Sequence, residues 1–168
     1  MSKRFPVVWL TGNSGAGKTT IATGMEEYFN NKDTESPLAR RIVNLDGDEM
    51  RATVSQDEGF SPEDRRRHNL RVARLANLLS EKGFLVLVSV IAPFDTVRAE
   101  LQELCDPLWI YVKRDGLGAP DRPYEPPENP ALKIDNDITS IEEARELVKN
   151  FLLSDKVAAQ KEEVVGVA

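Results

Sequence analysis

Short, continuous apolar runs alternate along the chain with longer stretches in which apolar residues recur at helical spacing. Runs without polar interruption are typical of strands that are buried on both faces of a sheet. The predicted strands cover residues 7–11, 41–45, 84–91, 108–112 and, more briefly, 132–134. Strands that alternate with helices predict a parallel sheet with helices on both faces.

The predicted helix boundaries lie at residues that satisfy free backbone groups. Ser61 followed by Pro62 is a strong start, because serine caps a helix well and proline suits the first helical position. Ser140 and Glu143 have the spacing of a capping box, and Asp95 can cap a shorter helix. The predicted helices cover residues 18–30, 61–83, 95–104 and 140–153.

The pattern contains no internal repeat and no linker-like segment. We therefore predict one domain over residues 1–153, followed by a frayed tail at residues 154–168 that is a candidate for disorder. In open parallel sheets, ligands bind beyond the carboxyl ends of the strands. The site is therefore expected in the loops at that edge. These loops follow Thr11, Leu45, Ile91 and Val112.

The first of these loops carries a complete phosphate-binding motif. Residues 12–19 match G-x-x-x-x-G-K-[ST] between a predicted strand and a predicted helix. Glycines let backbone N–H groups ring a phosphate, Lys18 neutralises the β- and γ-phosphates, and the Thr19 hydroxyl can hold Mg²⁺. We therefore predict ATP and Mg²⁺ as cofactors. The predicted nucleotide-binding residues are Gly12, Asn13, Ser14, Gly15, Ala16, Gly17, Lys18, Thr19 and Thr20.

The motif and the order of elements together predict the fold class. It is an α/β, three-layer P-loop NTPase fold of the nucleotide-kinase type, with a central five-stranded parallel sheet. A GTPase would need Asn-Lys-x-Asp late in the chain, whereas the Asn-Lys-Asp at residues 31–33 lacks the spacer and follows the first helix. A motor ATPase would usually end a later apolar strand in a carboxylate, whereas Ala-Pro follows residues 85–91. The length of 168 residues favours a small-molecule kinase.

Composition limits the partners. The net charge is −6 and the pI is about 5.0, so no overall charge attracts DNA or RNA. No stretch approaches the ~18 apolar residues of a membrane span. The single cysteine, Cys105, excludes an internal disulfide and a multi-cysteine metal site. We expect a cytoplasmic protein that acts on a small-molecule nucleotide, and a homodimer is compatible with the sequence.

Two aspartates follow the second predicted strand, at the same edge of the sheet as the phosphate loop. One carboxylate can bind Mg²⁺, and the other can orient or deprotonate an attacking hydroxyl. Aspartate is also favoured in turns and as a helix cap, so a purely local role is the alternative. We predict Asp48, Asp46 and Lys18 as catalytic residues, and Thr19 and Asp46 as metal ligands.

Basic residues surround the start of the helix that begins at Ser61. Arg51 can point into the same cleft as Asp48, and a guanidinium fork matches phosphate or sulfate oxygens. A helix cannot aim all of its side chains one way, so Arg66 or Arg67 is expected on a solvated face. The basic residues of this helix start are Arg65, Arg66, Arg67, His68 and Arg71. A lone histidine on a helix is usually a surface or packing residue, and His68 is kept as a candidate substrate contact.

Together with the phosphate loop, four segments resemble the adenylylsulfate kinase family. They are Asp-Gly-Asp-x-x-Arg at residues 46–51, Gly-Phe-Ser-Pro-Glu-Asp-Arg at 59–65, Ile-Ala-Pro-Phe at 91–94 and Pro-Tyr-Glu-Pro-Pro-Glu-Asn-Pro at 123–130. The resemblance runs in order through nearly the whole chain. It implies transfer of phosphate from MgATP to the 3′-hydroxyl of adenylyl sulfate, which gives 3′-phosphoadenylyl sulfate for sulfate assimilation.

The resemblance also implies roles for individual positions. Asp46 and Asp48 match the mechanistic aspartates of the family. Arg51 and Arg65 match the arginines that bind the substrate's anion, and Phe60 matches the aromatic residue that stacks on the adenine. Ile91 falls where backbone groups contact the substrate. The predicted substrate-binding residues are Asp48, Arg51, Phe60, Arg65, His68, Ile91 and Ala92.

The chain departs from the family at three places. Ala92 stands where the family usually has serine, and His68 stands where it has a helical asparagine. Before residue 123 the family carries a helix and a basic lid, with an aromatic that closes over the adenine. Here residues 115–122 are too few for both. Lids exclude water and complete the transition-state clamp, and Arg114 or Arg122 is a candidate substitute.

The sequence therefore leaves three hypotheses about the function. The first is adenylylsulfate kinase itself. The second is a kinase of the same family with another acceptor, such as a nucleotide of the cytidine diphosphoramidate type, and the changes at His68, Ala92 and Leu117 motivate it. The third is a nucleotide-binding protein with little kinase activity, which the shortened lid motivates and the intact Lys18 and Asp48 oppose.

Overall fold

The chain folds around one parallel sheet, and a computed structural model describes residues 5–158. The strands are β1 (Val7–Thr11), β2 (Ile42–Asp46), β3 (Leu85–Ser89), β4 (Leu108–Lys113) and β5 (Leu132–Asp135). The helices are α1 (Lys18–Asn30), α2 (Gly47–Ala52), α3 (Pro62–Glu81), α4 (Asp95–Cys105), α5 (Ile141–Leu152) and α6 (Asp155–Ala158). The strand order is β2-β3-β1-β4-β5, and every pairing is parallel. The predicted fold class is confirmed.

Side chains of the central strand alternate between two apolar cores, one on each face of the sheet. Val8 and Leu10 face the core that α1 and α5 cover, whereas Val7 and Trp9 face the core that α3 and α4 cover. All four are essentially inaccessible to solvent, and full burial of such side chains stabilises by roughly 1.5–3 kcal/mol each. The three layers hold the carboxyl ends of β1, β2 and β3 rigidly at one edge.

Capping boxes fix where helices α3 and α5 begin. The side chain of Ser61 accepts from the N–H of Asp64, whose carboxylate accepts from Ser61 in return. Ser140 and Glu143 form the same reciprocal capping box at the start of α5, as predicted. Each cap satisfies backbone N–H groups that otherwise have no partner inside the helix.

The structure differs from the sequence prediction near the ends of several helices and strands. Residues 47–52, for which no helix was predicted, form α2. Asp95 does not cap α4, because its carboxylate pairs with Arg98 instead. Part of the predicted tail forms α6, where Val157 is buried, and residues 159–168 lie outside the described part of the chain. Within residues 5–158, no helix has both the length and the apolar character needed to cross a bilayer.

Candidate functional site

A cavity of about 530 Å³ opens at the carboxyl ends of the strands. The phosphate loop forms one wall, and α2 with the start of α3 forms another. The end of β3 and the segment after β4 complete it. Its walls include Lys18, Thr19, Asp46, Asp48, Arg51, Phe60, Arg65, His68, Asn69, Ile91, Ala92, Arg114 and Arg122. The predicted catalytic, metal-binding and substrate-binding residues thus all lie around one space.

The phosphate loop is held against the sheet so closely that glycine is required. Gly12 has φ +154°, and a Cβ there would lie 2.2 Å from the carbonyl oxygen of Val112. A Cβ on Gly17, which has φ +107°, would lie 2.7 Å from Nδ2 of Asn136. That amide donates to the carbonyl of Ala16 at 2.7 Å and supports the loop from behind. Of the predicted nucleotide-binding residues, only Gly12 and Ala16 do not line the cavity.

Lys18 is buried beneath the loop that precedes it. Its Nζ donates to the carbonyl oxygens of Gly12 at 2.7 Å and Asn13 at 2.8 Å. Burial lowers the pKa of Lys18 to about 8, and the nearby carboxylates of Asp46 and Asp48 oppose that shift. Lys18 and both acids line the same cavity.

The half-buried carboxylate of Asp46 makes one contact that caps a helix and one contact inside the cavity. Its Oδ2 accepts from the backbone N–H groups of Asp48 at 3.1 Å and Glu49 at 3.4 Å, which caps α2. Its Oδ1 accepts from the hydroxyl of Thr19 at 2.7 Å. The local role and the site role are therefore compatible, because the two carboxylate oxygens serve different partners.

Asp48 lies one residue inside the helix that Asp46 caps. Within residues 5–158, its carboxylate receives no hydrogen bond, although it lines the cavity. A carboxylate without a protein donor keeps its lone pairs available for a ligand. Asp48 is thus the acid of this pair that can accept a proton from a bound hydroxyl.

Two arginines and an aromatic ring form a cluster on the far side of the cavity. The guanidinium of Arg51 lies 4.4 Å from the ring centroid of Phe60, and that of Arg65 lies 5.6 Å from it. Arg51 donates to the carbonyl of Gly59 at 2.8 Å, and Arg65 donates to the carbonyl of Phe60 at 2.9 Å. Phe60 is 68% exposed, so it is not a core residue. The two guanidinium groups can bind an anion, and the exposed ring of Phe60 can stack on a flat aromatic base.

The other arginines of this region are neutralised by carboxylates. Arg66 donates to Glu100 at 2.7 and 2.8 Å. Arg67 pairs with Glu58 and Asp64, and Arg71 pairs with Asp57 and Glu58. Within the described chain, none of the ion pairs involves Arg51 or Arg65. The predicted solvated face is therefore an ion-paired face, and it includes Arg71 as well.

The loop after β3 is fixed by residues that sequence reasoning did not assign to the site. Ala92 adopts φ +45°, and its carbonyl accepts from the buried Arg98 at 2.7 Å. Arg98 also binds the carbonyl of Glu125, and the N–H of Glu125 donates to Pro93 at 2.8 Å. Arg98 could have been found in the sequence because it lies among the apolar residues Val97 and Leu101 of a helix, where a charged side chain needs a buried partner.

Tyr124 ties the segment after β4 to the end of the central strand. Its ring stacks on Tyr111 with centroids 5.9 Å apart, and its hydroxyl lies 2.9 Å from Oγ1 of Thr11. Thr11 in turn donates to the carbonyl of Ile91 at 2.5 Å. This chain of contacts places Ile91 and Ala92 in the cavity wall.

We expect Tyr124→Phe to lower the free energy of unfolding by about 1 kcal/mol, because one part-buried hydrogen bond is lost while the stacked ring stays. Chemical denaturation measures the change. Tyr111→Phe is the matched control, since the Tyr111 hydroxyl makes no hydrogen bond within residues 5–158, and we expect a change within about 0.5 kcal/mol. Equal losses in both variants would contradict the role of the Tyr124–Thr11 contact.

The short segment after β4 lies directly on the phosphate loop. Arg114 donates to the carbonyl of Gly15 at 3.1 Å, and the Leu117 side chain lies near Gly15, where an added Cβ would meet it at 3.6 Å. Residues 114–131 contain no helix. Arg114 and Arg122 are thus the basic groups that this segment brings to the cavity.

Comparison with known proteins gives one family. A family model described as adenylylsulphate kinase matches residues 4–115. A probable adenylyl-sulfate kinase of Aeropyrum pernix is 37% identical over 164 residues, which cover 81% of this chain and 86% of that protein. The adenylyl-sulfate kinase of Staphylococcus carnosus is 32% identical over 176 residues, which cover 90% of this chain and 85% of the relative.

Solved structures give the same result. The Mycobacterium tuberculosis APS kinase, solved in complex with AMPPNP and APS, superposes with a TM-score of 0.76 at 29% identity. The match covers 90% of this chain and 99% of that one. A gluconokinase from Sinorhizobium meliloti, at 16% identity and a TM-score of 0.60, shares the fold alone.

Proposed function

The chain belongs to the adenylylsulfate kinase family, and we propose that it transfers the γ-phosphate of ATP to the 3′-hydroxyl of adenylyl sulfate. The observation that carries the proposal is that Asp46 and Asp48 line one cavity with Lys18, with the Asp46 carboxylate 2.7 Å from the Thr19 hydroxyl of the phosphate loop. Phosphate transfer to an alcohol needs a grip on the donor phosphates and an acid residue that prepares the acceptor. Both elements lie within reach of one another here.

The phosphate loop binds the donor. Its N–H groups and the start of α1 favour the negative β- and γ-phosphates, and Lys18 is positioned to turn from its own loop carbonyls to those oxygens. The Thr19 hydroxyl and the Asp46 carboxylate, 2.7 Å apart, are hard oxygen donors of the kind that Mg²⁺ prefers. When bound there, Mg²⁺ would neutralise charge on the phosphates. With ATP as the donor, we also infer a cytoplasmic location.

The acceptor occupies the side of the cavity formed by α2 and α3. Arg51 and Arg65 bind its phosphate–sulfate anion, and the exposed ring of Phe60 stacks on its base. This pose brings the ribose toward Asp48, whose free carboxylate takes the proton from the 3′-hydroxyl. That oxygen attacks the γ-phosphorus while the bond to the oxygen that bridges the β- and γ-phosphates breaks, and ADP leaves. The backbone of Ile91 and Ala92 closes the remaining side.

A different acceptor nucleotide is the second candidate. It is favoured by the short segment over residues 114–131, which leaves only one aromatic, Phe60, on the acceptor side of the described cavity. A site that stacks on only one face of the base tolerates more variation in the identity of that base than a site that stacks on both faces. The phosphate donor and the role of Asp48 are the same in both proposals.

Purified protein tests both proposals with MgATP and a panel of acceptors that includes adenylyl sulfate and a cytidine 5′-diphosphate analogue with an amide end group. ADP release and the position of the new phosphate are measured. Turnover with adenylyl sulfate at the 3′-oxygen supports the first proposal, and turnover with another acceptor alone supports the second. Binding of ATP without turnover on any acceptor contradicts both.

Loss of the Phe60 ring should raise the acceptor KM. Base–aromatic stacking is worth about 1–3 kcal/mol, so we expect Phe60→Leu to raise that KM about 10-fold, with kcat within about 3-fold of wild type. Steady-state kinetics at saturating MgATP measure both constants. Phe60→Tyr keeps the ring and serves as the control, and because Phe60 is exposed, stability should change by less than about 0.5 kcal/mol. An unchanged KM in Phe60→Leu would place the base elsewhere.

A further inference from the structure

A group of four charged residues joins the ends of strands β4 and β5 beside the phosphate loop. Lys113 and Asp135 are partners at the last position of the two paired strands. The ammonium group of Lys113 donates to three aspartate carboxylates, at 3.0, 3.2 and 3.1 Å. An ammonium group has three donors, so each of them has a partner here. We call this group the Lys113 cluster, and its members are Lys113, Asp115, Asp135 and Asp137.

Backbone hydrogen bonds hold the same two segments together. The N–H of Asp115 donates to both carboxylate oxygens of Asp137, at 3.1 and 3.2 Å, and the N–H of Asp137 donates to Asp135 at 3.1 Å. The N–H of Asn136 donates to the carbonyl of Lys113 at 2.9 Å. Hydrogen bonds to the carboxylates, first of all that of Asp115, raise the pKa of Lys113, and the bond from Lys113 lowers the pKa of Asp137. Lys113 and Asp137 are therefore both charged at neutral pH.

In each segment, the residue between the charged ones contacts the phosphate loop. Arg114 donates to the carbonyl of Gly15 at 3.1 Å, and Asn136 donates to the carbonyl of Ala16 at 2.7 Å. Two consecutive carbonyls of the loop thus receive donors from the two segments that the Lys113 cluster joins. The cluster lies next in sequence to both donors, so its bonds fix the backbone from which each donor extends.

We propose that Lys113 and Asp137 are positioning residues for the phosphate donor, because the Lys113 cluster holds Arg114 and Asn136 against the phosphate loop. This inference rests on the proposed function and concerns the donor side of the same site. A phosphate loop binds through backbone N–H groups that must point at the phosphate oxygens. Support from behind keeps those groups in place, so its loss lowers the affinity for the nucleotide.

A direct effect of charge predicts the opposite result for one member of the cluster. One ammonium group and three carboxylates give the cluster a net charge of −2. Removal of one carboxylate makes the surroundings of the phosphates less negative, and Coulomb's law then predicts tighter binding of ATP. Removal of the Asp137 carboxylate also leaves one donor of Lys113 and the N–H of Asp115 without their acceptor. The positioning role therefore predicts weaker binding in Asp137→Ala.

Isothermal titration with MgAMPPNP measures the affinity of the donor site without turnover. We expect Asp137→Ala to weaken binding about 5-fold, the effect of about one hydrogen bond. Lys113→Met leaves three carboxylates without their cation, and we expect it to weaken binding about 10-fold. Glu142→Ala removes an exposed carboxylate in the first turn of α5. It is the matched control, and we expect its affinity to stay within about 2-fold of wild type.

Two further measurements separate positioning from a general loss of structure. The KM for MgATP should rise in Asp137→Ala, whereas the KM for adenylyl sulfate at saturating MgATP should stay within about 2-fold of wild type. Asn136→Ala removes one of the two contacts to the loop. The variant that combines it with Asp137→Ala should therefore lose less affinity than the product of the two single effects. If Lys113→Met does not fold, Asp137→Ala and the combined variant still decide.

An affinity for MgAMPPNP in Asp137→Ala that is tighter than wild type, or within about 2-fold of it, would overturn the inference. A combined loss equal to the product of the single effects, or an equal rise in both KM values, would do the same. Turnover of adenylyl sulfate with an unchanged affinity in Asp137→Ala overturns the positioning role and leaves the reaction. Weaker binding in that variant, in a protein that does not phosphorylate adenylyl sulfate, leaves the positioning role and overturns the reaction.

Discussion

Asp48→Asn is expected to lower turnover at least ~100-fold while leaving ATP affinity close to that of the wild type. The amide has nearly the same shape as the carboxylate but cannot accept the proton of the attacking hydroxyl, and such positioned base chemistry is worth about 10²–10⁴-fold. ATP affinity depends on the phosphate loop and Lys18, which do not bond to Asp48. Single-turnover kinetics and nucleotide titration measure the two effects separately.

Glu49→Gln is the matched control for this variant. It makes the same chemical change one residue along α2, at a side chain outside the cavity, and we expect turnover within about 2-fold of wild type. Turnover near the wild-type level in Asp48→Asn would refute the assignment of the base. A large loss of ATP affinity in that variant would instead move Asp48 to the donor side of the site.

The parts of the fold that sequence predicted are those that local chemistry determines. The buried strands are continuous apolar runs, and the helix caps at Ser61 and Ser140 are complete within four residues. The phosphate loop is a contiguous motif whose glycines are required by close backbone contacts. α2 was missed because its cap, Asp46, lies in a turn-like Asp-Gly-Asp sequence, and because the helix is only six residues long.

The pattern of residues alone did not show which arginines lack a carboxylate partner and so remain available to a ligand. The basic stretch at the start of α3 resembles one cluster, but its members differ in their partners, which include carboxylates of the same helix and others that are distant in sequence. Arg66 is neutralised by Glu100, 34 residues away, and Arg67 by Glu58 from the preceding loop. Only the packed structure leaves Arg51 and Arg65 for a ligand. In the same way, Arg98 acts on the site through a loop carbonyl that no local pattern reveals.

Contacts that sequence reasoning did not assign hold the segment after β4 in place. Tyr124 and Arg98 fix it through contacts to β1, β4 and α4. Arg114 and Leu117 of the same segment lie against the phosphate loop at Gly15. In the reaction that we propose, Phe60 is the exposed ring on the acceptor side of the cavity.

Lys18→Met is expected to lower kcat/KM about 10²–10³-fold and, at the same time, to stabilise the ligand-free fold. The rate loss follows because a positioned cation that stabilises transferring phosphate is removed, and loss of one such group typically costs that much. The stability gain follows because burial disfavours the charged lysine, whose pKa falls to about 8. Methionine fills similar space without that cost, so we expect a gain of about 1–3 kcal/mol.

The pH dependence of stability distinguishes this explanation from simple repacking. Below pH 8, Lys18 is protonated in both the folded and the unfolded state, and the cost of its buried charge is present in full. Between pH 8 and the ordinary lysine pKa, the folded state has lost the proton while the unfolded state keeps it, so the stability of the wild type rises with pH. The difference between wild type and Lys18→Met should therefore shrink from pH 7 to pH 10, as measured by denaturation at each pH. A constant difference would mean that Lys18 is not buried as a charge, and would contradict burial as the cause of its lowered pKa.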